Sequence, residues 1–162
     1  MKRLISIFCS VLLVLRFVPN VSASELEKSE ELVLVSETVK CLEDGSSIIT
    51  SVYEEVVQTR SNLYTKTGSK VDRYVSAEGE TVWSLTVHGE FRIIEGASVT
   101  CTSASCSTAI YNDAWSCTRK SASPSGNQAV ANGVFEMRVL GIVISTENVN
   151  VTLSCDPYGN LY

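Results

Sequence analysis

The stretch Thr81-Val82-Trp83-Ser84-Leu85-Thr86-Val87-His88-Gly89-Glu90-Phe91 decides the reading of this chain. Trp83, Leu85, Val87 and Phe91 share one parity, and Val82, Ser84, Thr86, His88 and Glu90 share the other. A period of two with one apolar side describes a strand with one face on a core. The strand runs on to Ile94. Ala77-Glu78-Gly79-Glu80 precedes it as a turn, and Glu95-Gly96 follows it as another.

Upstream, Leu32 to Val39 reads as a first strand and Asp44-Gly45 as a hairpin turn. Ser47 to Val57 reads as a second strand, rich in Ile, Val, Thr and Tyr. Arg60 to Lys70 is polar and reads as a loop, and Val71 to Val75 as a short strand. Downstream, strands are expected at Val99–Thr108, Trp115–Ser121, Gln128–Leu140, Ile142–Thr146 and Val149–Cys155. Tyr111-Asn112-Asp113 turns the chain, Ser123 to Asn127 is a polar loop, and Gly133 suggests a bulge. The tail Asp156–Tyr162 is turn-like. No internal repeat and no amphipathic helix interrupts this pattern. Ser and Thr supply 33 of the residues after position 23, mostly opposite apolar positions within strands. The whole predicts an all-β, antiparallel sandwich or open barrel of about eight to nine short strands. Residues 32–162 form a single domain, with its core mainly in segments 81–94 and 134–155.

Residues 1–23 have the form of a secretory signal peptide. Lys2 and Arg3 are its basic start and Leu4 to Leu15 its apolar run. Val21-Ser22-Ala23 places small residues for cleavage before Ser24. The apolar run is short for a bilayer span, and none follows it, so no membrane span is expected after signal cleavage. Residues 24–31 form an acidic flexible leader. Without Lys2, Arg3 and Arg16, 10 of the 13 basic residues face all 18 acidic ones, a net charge of −8. Phosphate-rich partners need a basic surface, so nucleic acid is not an expected partner. The charge is uneven: Glu25 to Glu55 holds nine acids and two lysines.

Cys41, Cys101, Cys106, Cys117 and Cys155 remain after the signal. In an exported chain, cysteines are bridged more often than catalytic. Cys106 and Cys117 lie equally far from the Asn112 turn, so a simple hairpin sets them opposite each other. Such a bridge would contribute roughly 3 kcal/mol by loop closure. Cys101 and Cys155 lie in alternating strands on the sides of Val99 and Leu153, and their pairing would tie the last strand to the middle of the sheet. Cys41 is left over and is available for an intermolecular disulfide. With no C-x-x-C and a single histidine, the common zinc patterns are absent, and no metal or other cofactor is expected.

His88, the only histidine, points away from the Trp83 face. No G-x-S-x-G and no phosphate-cradling glycine loop is present. Glu54 and Glu55 are adjacent on a strand, face opposite sides and cannot flank one glycosidic bond. No catalytic machinery is therefore expected. Trp83 belongs to the core by parity. Tyr111 and Trp115 flank a turn and are the candidates for stacking on a ligand.

The Thr81–Phe91 stretch is followed by Ser98-Val99-Thr100-Cys101-Thr102-Ser103, Tyr111, Trp115 and Lys120-Ser121-Ala122-Ser123. Val139-Leu140-Gly141-Ile142 and Val149-Asn150-Val151-Thr152-Leu153-Ser154-Cys155 come later. In order and spacing, residues 71–162 resemble a family of small secreted proteins of Gram-positive bacteria, many from the gut, with no assigned function. The resemblance implies a single extracellular domain with Cys101 and Cys155 paired, and it brings no catalytic residues. Cys41, Cys106 and Cys117 are additions to that pattern. The expected function is extracellular binding of a cell-surface polymer (a glycan) or a protein partner. The alternative is a secreted antimicrobial or toxin-like protein acting on neighbouring cells.

Overall fold

Among the described residues the chain forms eight strands: β1 (Leu32–Cys41), β2 (Ser47–Glu55), β3 (Leu63–Val75), β4 (Thr81–Ile94), β5 (Ser98–Ile110), β6 (Trp115–Ser125), β7 (Gln128–Val139) and β8 (Ile142–Ser154). The computed structural model describes residues 32–55 and 61–162. The expected signal at 1–23 and the acidic leader at 24–31 lie outside the described residues. Within each sheet every strand pairs antiparallel with its neighbour in sequence, giving a five-stranded sheet β1-β2-β3-β4-β5 and a three-stranded sheet β6-β7-β8. The two sheets face each other as a sandwich, which settles the choice that the sequence left open. Among the described residues no helix is long and apolar enough to cross a membrane.

The alternation in β4 does what its parity requires. Trp83, Leu85, Val87, Phe91 and Ile93 are buried and meet Ala129, Ala131 and Phe135 of β7 and Val151 and Leu153 of β8. Each such large side chain contributes roughly 1.5–3 kcal/mol when removed from water. The sheets approach closely where β4 and β7 carry glycine. A Cβ on Gly89 would lie 2.8 Å from the Phe91 ring and 2.9 Å from the Ala129 methyl. A Cβ on Gly133 would lie 3.0 Å from the Phe135 ring and 3.1 Å from Leu85. Gly133 is thus a packing glycine and not the expected bulge. The register shifts of this sheet fall between Cys117 and Arg119 and between Met137 and Arg138.

Three further expectations are corrected. Residues 63–70, read as loop, begin the 13-residue strand β3. Their polarity arises because much of this part of the sheet is only partly covered, so ladder pairing, not burial, holds it. Ile142–Thr146 and Val149–Cys155 join into one strand, because Glu147 and Asn148 sit on an open edge where polar residues cost nothing. Finally, β5 and β6 form no paired hairpin. The amides of Tyr111 and Asn112 donate to Val82 O, whereas Arg138 N–H donates to Ala114 O at 2.7 Å. The chain therefore crosses from one sheet to the other at 112–114.

The tail closes the structure. Ser154 and Tyr162 exchange backbone hydrogen bonds, and Cys155 bridges to Leu161. This seats Leu161 in the core against Gly68 of β3. Asp156 holds the tail turn by accepting from the amides of Tyr158 and Asn160.

Substituting Gly89→Ala should lower stability by about 1–3 kcal/mol, since the added methyl overpacks the sheet interface. Urea unfolding at neutral pH checks this; an unchanged midpoint would mean that the sheets are not in close contact there.

Candidate functional site

The inner face of the five-stranded sheet can be read from its register, because residues directly opposite across a ladder share a face. Trp83 lies beside Tyr74, Ile48 and Lys40 in one cross-strand row. Leu85 lies beside Asp72, Thr50 and Thr38 in the next, and Val87 beside Lys70, Val52 and Ser36 in the third. The rows begin apolar on β4 and become polar toward β1. The change coincides with the cover: the smaller sheet packs β7 and β8 over β3, β4 and β5, Val52 of β2 is still buried and Ile48 packs at the margin of the core, and β1 is exposed along its length.

At the far end of β3 the C-terminal tail takes over as cover. Lys66 Nζ donates to Gly159 O at 2.7 Å and pairs with Glu54 at 2.6 Å. At the other end of β3, between the β1–β2 turn and β8, a cleft of about 370 Å³ remains. Lys40, Leu42, Asp44, Ile48, Asp72, Tyr74 and Trp83 line one side, and the β8 run Glu147-Asn148-Val149-Asn150 lines the other.

The cleft is aromatic and apolar at its base, with acids and amides around it. Trp83 is clamped between Tyr74 (centroids 5.3 Å, planes 18° apart) and Phe135 (4.2 Å, 12°). Its indole N–H is buried and has no hydrogen-bond partner among the described residues. A buried donor left unpaired costs about 1–3 kcal/mol. Asp72 is the most demanding acid. Burial pushes its carboxyl above the usual 3.8, against the opposing effects of a hydrogen bond from Thr50 Oγ1 at 2.7 Å and the nearby Lys70 charge. Asp44 differs. The Ser46 hydroxyl and amide both donate to its Oδ1 and hold its carboxyl below the usual range, so it is fixed and ionised in its turn. Asn150 is committed to Asn132 and Thr152. The three acids outnumber Lys40. This set can stack on a ring and accept from hydroxyls or ammonium groups.

The stacking candidates named by sequence are not brought together. Tyr111 is 63% exposed at the turn. Trp115 is turned inward, tilted against Tyr74 (5.9 Å) and Trp83 (6.4 Å). Sequence reasoning missed Tyr74 and Asp72 as site residues, because the segment Val71–Val75 was read only as a short strand behind a loop. A signal was present in the alternation of Lys70, Asp72 and Tyr74 once the strand is extended backward to Leu63. His88 lies on the opposite face, with Ser69 Oγ 2.8 Å from Nδ1 and Ser107 Oγ 3.3 Å from Nε2. Both ring nitrogens face hydroxyls, and among the described residues neither bonds a carboxylate.

The five cysteines are free thiols, with Cys41 exposed, Cys106 and Cys117 half-buried, and Cys101 and Cys155 buried. Cys106 is opposite Val87 and Cys117 opposite Phe135, so both face between the sheets. They lie on strands without a common ladder, which removes the hairpin geometry that placed them in register. The amides of Cys101 and Cys155 donate to the consecutive carbonyls of Gly126 (2.7 Å) and Asn127 (3.1 Å). Burial pushes the Cys155 thiol up to about 11, and the nearby Cys101 adds to this. Burial also raises Cys101. Thiols held protonated in this way are poor nucleophiles. No group of three or more metal-ligating side chains occurs among the described residues.

No family model, curated protein or solved structure matches this chain.

Because the folded carboxyl of Asp72 titrates above its unfolded value, its charge opposes folding at neutral pH. That penalty disappears below the usual 3.8, where both states are protonated. Asp72→Asn keeps an acceptor for Thr50 and should raise the urea midpoint at pH 7, with the gain gone near pH 3. A variant less stable than the parent at pH 7 would contradict this.

Proposed function

We propose that the protein is an extracellular binding module without catalytic machinery, and that its cleft takes a glycan-type cell-surface polymer. The observation that carries the reading is the uncovered part of the inner sheet face. There an aromatic base of Tyr74 and Trp83, with an unpaired indole N–H, meets Asp72, Glu147 and Asn148. Sugars present apolar ring faces to aromatics and hydroxyls to carboxylates and amides, and this cleft offers both. The open flank along β1 leaves room for a polymer to run past the cleft. A second reading, a secreted toxin-like protein acting on neighbouring cells, draws on the exposed apolar residues at the β7–β8 turn. The net charge of −8 speaks against a cationic lytic action.

Export would expose the thiols to an oxidising medium, and Cys101 with Cys155 is the pair we assign to a disulfide. Both are buried in one core, and their amides are held by adjacent carbonyls. Closing a loop of this length would add about 4 kcal/mol in the chain-entropy account.

Labelled Ser24–Tyr162 should co-sediment with isolated cell wall and be competed off by unlabelled protein. Tyr74→Ala should weaken retention at least tenfold, while Tyr111→Ala leaves it unchanged. Retention that ignores Tyr74 would move the site elsewhere, and no retention on any wall would end the glycan reading. Unreduced peptide mapping of protein collected from medium should recover a Cys101–Cys155 linkage. Recovery of both as free thiols would refute the assignment.

A further inference from the structure

The turn between β7 and β8 breaks the composition rules of its type. Val139 pairs with Ile142, so the loop is the two residues Leu140 and Gly141, with φ of 52° and 81°. This is a type I′ turn, in which asparagine or glycine is the favoured first residue. Leu140 is the one non-glycine residue with positive φ among the described residues, and it is 98% exposed. A bulky apolar residue thus holds a strained backbone and gains no burial from it. Its neighbours repeat the anomaly: Val139, Ile142, Val143 and Ile144 are all exposed.

The arrangement of these residues says what medium suits them. Ile142, Val143 and Ile144 are consecutive, and successive strand residues point to opposite faces. The hairpin end is therefore apolar on both faces and at its tip. A protein groove or a second sheet would need one face. A hairpin apolar all round fits an isotropic apolar medium. Arg138 lies opposite Val143, so Val139, Leu140, Gly141 and Ile142 lead beyond it by about 5 Å at 3.3 Å per residue, the shallow end of the depth at which peripheral elements enter a bilayer, with Val143 and Ile144 at its boundary. A polar collar follows directly. Arg138 pairs with Glu136 at 2.7 Å, and Ser145 and Thr146 come next on β8. The hydrogen bond from Arg138 N–H to Ala114 O ties this collar to the β5–β6 turn, which carries the exposed Tyr111, a residue type favoured at membrane–water interfaces.

We propose that the β7–β8 hairpin tip dips into the outer surface of a lipid bilayer, with Leu140 as the leading residue and Arg138 and Tyr111 at headgroup level. The charge at this end selects the lipid. The turns β1–β2, β3–β4, β5–β6 and β7–β8 all lie at the same end of the sandwich, and the first three bring Glu43, Asp44, Glu78, Glu80 and Asp113. These acids repel anionic headgroups, so the partner is a zwitterionic bilayer entered by apolar contact. The insertion is peripheral and does not span the membrane. It is independent of the cleft, whose ligand is bound by other residues.

The test is sedimentation of Ser24–Tyr162 with phosphatidylcholine vesicles and with vesicles containing one-third phosphatidylglycerol, at physiological salt. The parent protein should bind the former, with no gain from the anionic lipid. Leu140→Asn installs the residue that the turn prefers, so it should fold with an equal or higher unfolding midpoint and yet lose vesicle binding about tenfold or more. No binding of the parent to phosphatidylcholine, binding that Leu140→Asn leaves intact, or binding only to anionic vesicles would each overturn the proposal. So would a parent dimer by analytical ultracentrifugation that Leu140→Asn converts to monomer, since a second copy would then be the occupant. Wall retention by the Leu140→Asn protein should be unchanged, which separates failure of this proposal from failure of the cleft reading.

Discussion

The packing of a three-stranded sheet on a five-stranded one, through the stack of Tyr74, Trp83 and Phe135, is the constraint from which the other features follow. Phe135 comes from the smaller sheet and the other two from the larger, so the stack locks the sheets in one relative position. Gly89 and Gly133 let the backbones close around it. With that position fixed, the smaller sheet reaches only as far as β3. β1 stays exposed while Val52 of β2 is still buried, and the rows become polar as they reach β1. The cleft is the place where the aromatic stack meets that uncovered part of the sheet.

The C-terminal tail shows the same logic in another place. Leu161 plugs the space above Gly68, and Lys66 is held by Gly159 O and Glu54. This covers one end of the β3 inner face and leaves Asp72 and Tyr74 half-buried at the cleft at the other end. The two unusual energetic commitments of the molecule, a half-buried carboxylate at Asp72 and a positive φ at Leu140, both lie outside the packed centre. Each costs stability where a common alternative residue would not, and each faces something other than the rest of the protein.

Much of the fold was legible because β4, β7 and β8 obey a period of two with apolar inner residues. Trp83, Leu85, Val87 and Phe91 were placed correctly by parity alone. The choice of a sandwich over an open barrel was not legible, because the crossing at 112–114 depends on tertiary hydrogen bonds to Val82 and Ala114, not on turn residues. The cleft was hidden for a related reason. A strand that is only partly covered carries polar residues on its inner face, and Lys66 and Lys70 therefore looked like a loop, which cut the strand holding Asp72 and Tyr74 short at Val71. Trp115 was misjudged since its position beside a turn suggested exposure, whereas Tyr74 and Trp83 draw it inward.

The most direct test of the cleft is the Trp83 indole N–H resonance, followed by NMR during titration with solubilised cell-wall polysaccharide. This proton is buried without a partner among the described residues, and Trp83 lines the cleft. It should therefore shift in a saturable manner as the polymer binds, and it should do so together with the amides of Tyr74 and Asn148. A polymer that binds while these signals stay fixed would contradict the account and locate recognition elsewhere on the molecule.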